Sequence, residues 1–121
     1  MTLPTFDYSR VVEIGRADDW LFDITIDATS ATTGATAALT TGTVTAHLCL
    51  WPPTTTPLSG AQAAMTHLTA GRWIGSLDVT AVSAALTAYP DGTRLAIVYV
   101  VDGAMARYRE AVVVTMRRSE V

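Results

Sequence analysis

Few residues in this chain could do chemistry. Two histidines, His47 and His67, and one thiol, Cys49, are the available soft ligands or nucleophiles. His47 and Cys49 stand two apart, so on a β-strand they share a face, which suits a pair of metal ligands. A structural zinc takes four ligands, commonly as closely spaced pairs, and one further histidine does not complete such a set. The spacing therefore predicts no metal site, with His47 a surface strand residue and Cys49 a small half-buried hydrophobe. Four acids, Asp18, Asp19, Asp23 and Asp27, suggest calcium at first sight. Asp23 and Asp27 fall about 13 Å apart along the solvent side of one strand at the usual rise, too far to share an ion. Without an Asp-x-Asp-x-Asp-Gly run, these acids read as a solvated face.

Nucleotide and hydrolase motifs are missing as well. No Gly-x-Gly-x-x-Gly or Gly-x-Ser-x-Gly occurs, and a chain without lysine has no phosphate-binding Gly-x-x-x-x-Gly-Lys. Nothing in the pattern places one of two carboxyl groups in a desolvated cleft, as paired acid-base catalysis needs. The chain reads as non-enzymatic, with no catalytic residue, no cofactor and no metal. Among the three tryptophans, Trp20 and Trp73 fall on apolar faces and read as core. Trp51, at the mouth of a Pro-Pro loop, reads as an exposed aromatic able to stack on a sugar.

Behind these residues stands an alternating pattern. In Trp20–Asp27 the even positions Trp20, Phe22, Ile24 and Ile26 are apolar and Asp23, Thr25 and Asp27 face the other way. Thr43–Trp51 sets Val44, Ala46, Leu48 and Leu50 against Thr43, Thr45 and His47. Arg72–Val79 sets Trp73, Leu77 and Val79 inward. Leu95–Val101 is apolar on both faces and predicts a central strand. Arg107–Met116 alternates Tyr108, Val112, Val114 and Met116 with Arg107, Arg109, Val113 and Thr115. Val11–Ile14 and Met65–Thr69 complete a set of about seven strands. Asp102-Gly103 predicts a tight hairpin, Tyr89-Pro90-Asp91-Gly92 a type I turn, and Trp51–Pro57 an extended exposed connection. Thr29–Thr43 predicts a long loop or an edge hairpin. Val82, Ala85, Leu86 and Tyr89 follow helical spacing, so Thr80–Ala88 predicts a short helix stopped by Pro90.

Composition bounds the class. The chain has 121 residues, of which 16% are charged and 50% hydrophobic. That apolar content excludes a disordered chain, and the length suits one domain over 1–121. A net charge of −3 speaks against a general nucleic-acid binder. No run approaches a membrane span, Met1–Arg10 lacks the apolar core of a signal peptide, and a single cysteine excludes a disulfide framework. The charge is unevenly placed. Between Asp27 and Arg72 lie 44 residues without one Asp, Glu, Lys or Arg, an acidic segment precedes them, and an Arg-rich one follows. Subunit interfaces are depleted in charge. The uncharged stretch therefore predicts a contact surface, with Thr33, Thr36, Thr41, Trp51, Pro52, Pro53 and Thr55 as candidate interface residues. The unlike flanks predict complementary rim contacts between copies.

The order of segments carries a resemblance. Gly15-Arg16-Ala17-Asp18-Asp19-Trp20-Leu21-Phe22-Asp23-Ile24 is followed by Gly42-Thr43-Val44-Thr45-Ala46-His47-Leu48. Then come Ala70-Gly71-Arg72-Trp73-Ile74-Gly75-Ser76-Leu77 and Asp91-Gly92-Thr93-Arg94-Leu95-Ala96-Ile97-Val98. From about Val11 to Arg117 the chain resembles the small immunoglobulin-like β-sandwiches of tailed-phage virion proteins, in head-decoration, neck and upper-baseplate N-terminal domains. The resemblance implies an all-β, immunoglobulin-like antiparallel sandwich. It further implies a structural role in the virion, assembled in the host cytoplasm, with other virion proteins and copies of itself as partners. The chain ends at Val121 without the extension of the multi-domain members, which favours a stand-alone component. A carbohydrate- or cell-surface-binding sandwich, acting through a glycan contact at Trp51, is the alternative expectation.

Overall fold

Alternating apolar residues make one-sided strands, and one-sided strands must meet face to face to leave water. In the computed structural model, which describes residues 11–115, they do so as ten strands and one helix. In chain order these are β1 (Val11–Gly15), β2 (Trp20–Thr25), β3 (Asp27–Thr29), β4 (Thr36–Ala38), β5 (Val44–Leu50), β6 (Gln62–Ala64), β7 (Thr66–Thr69) and β8 (Arg72–Leu77), then α1 (Val79–Leu86), β9 (Arg94–Val101) and β10 (Ala104–Val114). One sheet has the order β1-β10-β9-β5-β6, a second β2-β8-β7, and β3 pairs only β4. All pairs are antiparallel except β1 with β10. The fold is all-β with a single short helix.

The two larger sheets enclose one apolar core. Phe22 and Leu77 from the small sheet meet Val44, Leu48, Leu95, Ile97, Tyr99, Ala111 and Val113 from the large one. Phe22 and Tyr99 touch edge to face with ring centres 6.3 Å apart. Helix α1 closes one end of the core with Val82, Ala85 and Leu86. Its first turn is held by two acids, Asp78 Oδ1 accepting from the Ala81 amide at 2.9 Å and Asp19 Oδ1 from the Val79 amide at 2.6 Å.

Several expectations need correction. Trp20–Asp27 breaks at Ile26 into β2 and β3. Gln62–Ala64 adds a strand, and the chain then changes sheets at Met65 before β7. Val79 is not an inward strand residue; capping by Asp78 turns the chain into α1 there, leaving Val79 exposed. Leu50, the last residue of β5, is exposed too. On β10 the opposite set faces inward. Ala111 and Val113 are buried while Val112 and Val114 are half-buried on the other side, and Met116 lies outside the described residues. This half of β10 is flanked by β9 on one side and by the parallel β1 on the other, and both of its faces carry apolar residues. The turn after α1 sits one residue later than expected. Thr93 N donates to Pro90 O at 3.2 Å, placing Gly92, with φ +89°, at the third position. The Asp102-Gly103 hairpin forms as expected, with positive φ at both residues.

Burial of Tyr99 makes one consequence of this core measurable. Desolvation pushes its phenol up to about 12, opposed by the charges of Arg109 and Arg107 and reinforced by that of Asp23. The phenolate is therefore favoured in the unfolded chain, where it forms near pH 10. Tyr99 contributes stability that is complete below about pH 10 and is lost as pH rises towards 12. Urea unfolding across this range should show the decline in the natural chain and its loss in Tyr99→Phe.

Candidate functional site

The charged residues are largely used up inside the fold. Arg72 grips Asp23 with Nε at 3.0 Å and Nη2 at 2.7 Å, and this pair holds the Asp23 carboxyl below its usual range. Asp91 is lowered first by the Thr115 hydroxyl, which donates at 2.8 Å, and further by Arg16. Arg16 also donates to Tyr89 O at 2.9 Å, so three chain segments meet there. Arg94 pairs with Glu110 at 2.8 Å. Asp102 accepts from the Thr43 amide at 2.9 Å. Two of these pairs join the flanks within one chain: Asp23 from the acidic segment meets Arg72 from the Arg-rich one, and Arg16 from the former meets Asp91 from the latter. Of these pairs, Asp23–Arg72 satisfies within the fold part of the charge polarity that the sequence assigns to rim contacts between copies.

The soft ligands are used the same way. His47 is buried, not on the surface. Its Nε2 donates to Thr54 O at 3.0 Å because the Pro-Pro loop folds back over that side of β5. Cys49 is fully buried beside Ala96 and Val98, with Trp51 packed against them. His67 sits against the Trp73 ring and donates to Ala70 O at 2.5 Å. Among the described residues, no three His, Cys, Asp or Glu side chains gather where they could hold a metal.

Trp51 is half-buried, contrary to its reading as an exposed platform. The Arg94 guanidinium lies 4.7 Å from its ring centre, and Tyr108 meets it at 5.9 Å. With its ring occupied by a cation and resting on the sheet, it offers a sugar little free face. Pro52, joined to Trp51 by a cis peptide, and Thr55 are exposed, whereas Pro53 is half-buried.

The remaining candidates, Thr33, Thr36 and Thr41, are all exposed, but at the other end of β5. The seven residues of that strand separate them from Trp51, Pro52, Pro53 and Thr55 by about 20 Å. The uncharged stretch is therefore two surfaces, not one. The end carrying the threonines is the more distinctive. From Asp27 to Ala38 every residue is exposed, and after Asp27 none is charged. The hairpin they form stands clear of both sheets.

Its base is nevertheless fixed. Ile26 N donates to Gly71 O at 2.8 Å, Leu39 N to Ile26 O at 2.9 Å, and Trp73 Nε1 to Leu39 O at 3.0 Å. A Cβ on Gly71 would lie 2.5 Å from Ile26 O, so only glycine lets the hairpin base approach the β7–β8 turn. Alternation along β8 places Trp73 in the core but does not connect Gly71 with the hairpin. The signal, a glycine immediately before a strand, is too common to identify its neighbour.

No protein-family model, curated protein or solved structure matches the chain.

The root contacts predict separable effects. Gly71→Ala should cost about 1–3 kcal/mol in urea unfolding, from overpacking against Ile26. Trp73→Phe keeps most of the ring but loses the bond to Leu39. Hydrogen exchange should then speed up at the Leu39 and Ile26 amides while β9 amides stay protected.

Proposed function

We propose that the chain is an immunoglobulin-like β-sandwich serving as a non-enzymatic structural subunit of a tailed-phage virion, in contact with other virion proteins and with copies of itself. The strand order supports the fold reading. In immunoglobulin domains the second, fifth and fourth strands share one sheet, and the third, sixth and seventh share the other. Here β2, β8 and β7 correspond to the former and β5, β9 and β10 to the latter. β6 adds the further edge strand seen in variable-type domains. The Phe22–Tyr99 contact joins the two strands that a disulfide bridges in antibody domains.

The projecting hairpin carries the role. A surface element of Thr, Ala, Ser and Gly, with no charge after Asp27, loses little solvation when a neighbour covers it. It is held at its base by Gly71 and Trp73, so it is presented in a defined direction and does not have to be ordered on contact.

Replacing Thr33, Thr36 and Thr41 together by Asp should leave the fold unchanged by circular dichroism and remove the protein from purified particles. The same substitution at Thr55 should not. Normal incorporation of the triple variant would overturn the reading.

A further inference from the structure

We propose that β4 is the contact strand and that its partner is a second copy of this chain, the two β4 edges pairing antiparallel about a two-fold axis beside Ala37. This inference rests on the reading above that the chain works through subunit contacts.

The hydrogen-bond pattern defines the edge. Leu39 N donates to Ile26 O and Ser30 N to Ala35 O, at 2.9 and 2.8 Å, and Ala37 lies opposite Ala28 between them. Bonded and non-bonded pairs alternate along an antiparallel ladder. Ala35, Ala37 and Leu39 therefore turn their peptide groups towards β3, and Thr36 and Ala38 turn theirs outward. Among the described residues no further strand joins this pair. Natural sheets protect an open edge with charge, proline or a bulge. β4 reads Thr36-Ala37-Ala38 and has neither charge nor proline, and its pairing with β3 is regular.

The same sequence suits a second copy as partner. Around a two-fold axis at Ala37, Thr36 opposes Ala38 of the second copy and Ala37 opposes itself. Like charges directly opposite destabilise a sheet, so a strand pairing with its own copy must be uncharged. β4 meets that condition with all three residues exposed, whereas the other uncharged edges, β6 and β7, each hold a covered residue, Ala63 and His67. β10, with Arg107 and Arg109 two apart, does not meet it. In this register the two outward-facing residues of each copy form bonded pairs, giving a four-stranded sheet across the axis. The hairpin holds about half of the roughly 20–30 residues that a standard interface uses on each side. The pair is accordingly weak when free and gains strength where many copies are held side by side.

Opposed non-bonded residues have Cα atoms about 4.5 Å apart, within the range that a disulfide spans. In a Cys49→Ala background, Ala37→Cys should give a covalent dimer under mild oxidation, and Thr33→Cys at the hairpin tip several-fold less. Equal yields, or no dimer from Ala37→Cys, would overturn the pairing. In sedimentation, Ala37→Lys and Ala37→Asp should each stay monomeric at concentrations where their mixture associates; a mixture no more associated than either alone would also overturn it. If these tests fail while the triple Asp variant is still excluded from particles, the pairing is wrong and the subunit reading stands. Efficient cross-linking with normal incorporation of that variant supports the pairing and overturns the subunit reading.

Discussion

The fold depends on the need to cover β9 on both faces. Leu95, Ile97 and Tyr99 point into the space between the sheets, while Ala96 and Val98 point the other way, and all five are buried. A strand apolar on both sides is stable only in the middle of a sheet with cover above and below. β5 and β10 flank it, and the small sheet covers the inner face through Phe22 and Leu77. The outer face is covered by Trp51, and the loop after it is drawn back by the bond from buried His47 to Thr54. Small residues at Cys49 and Ala96 leave room for the indole. The Pro-Pro segment is thus part of the packing of β9 and not a free connection.

Charge in this chain is structural before it is anything else. Asp78 and Asp19 satisfy the first amides of α1, and Asp102 bonds the start of β5. Asp23 ties β2 to β8, and Asp91 gathers Arg16 and Thr115 where three segments converge. The exposed ion pairs each contribute little to stability. Their effect is positional, because each joins segments far apart in the chain. An average of 16% charged residues therefore conceals a division of labour. The two larger sheets use their ions to fasten connections, and the hairpin has none after Asp27.

Much of the all-β fold was legible from periodicity. The two-sided run Leu95–Val101 marks the centre of the large sheet, Phe22, Leu48 and Trp73 fall on their expected inner faces, and Asp102-Gly103 turns as its residues dictate. The failures share a cause. His47 is polar by type yet buried, because the loop that follows β5 folds back over it. Ala111 and Val113 face inward although Val112 and Val114 are apolar too, so alternation did not choose between the two faces of β10. Period-2 patterning reports one covered face and says nothing about a second covering element. The candidate surface was legible as a lack of charge, but its division between two ends depends on the direction of β5. The Gly71 contact with Ile26 joins residues 45 positions apart, which no local pattern encodes.

An open, uncharged edge is ordinarily an aggregation hazard, and the geometry of this hairpin limits it. Each strand has three residues, so β4 offers outward peptide groups at only two positions. That is too short for the long, flat, hydrophobic edge that recruits chains indiscriminately, and threonine and alanine add little apolar surface for collapse. A two-stranded ribbon of such residues is also marginal alone. Rooting it through Ile26, Leu39, Gly71 and Trp73 supplies the order that its own side chains do not. Under the proposed pairing, the edge is weak enough to remain free at low concentration and fixed enough to meet a neighbour in one register. Charge on β4 would remove the hazard and the proposed contact together. Confining the uncharged edge to three residues on a fixed base removes most of the hazard and is compatible with that contact.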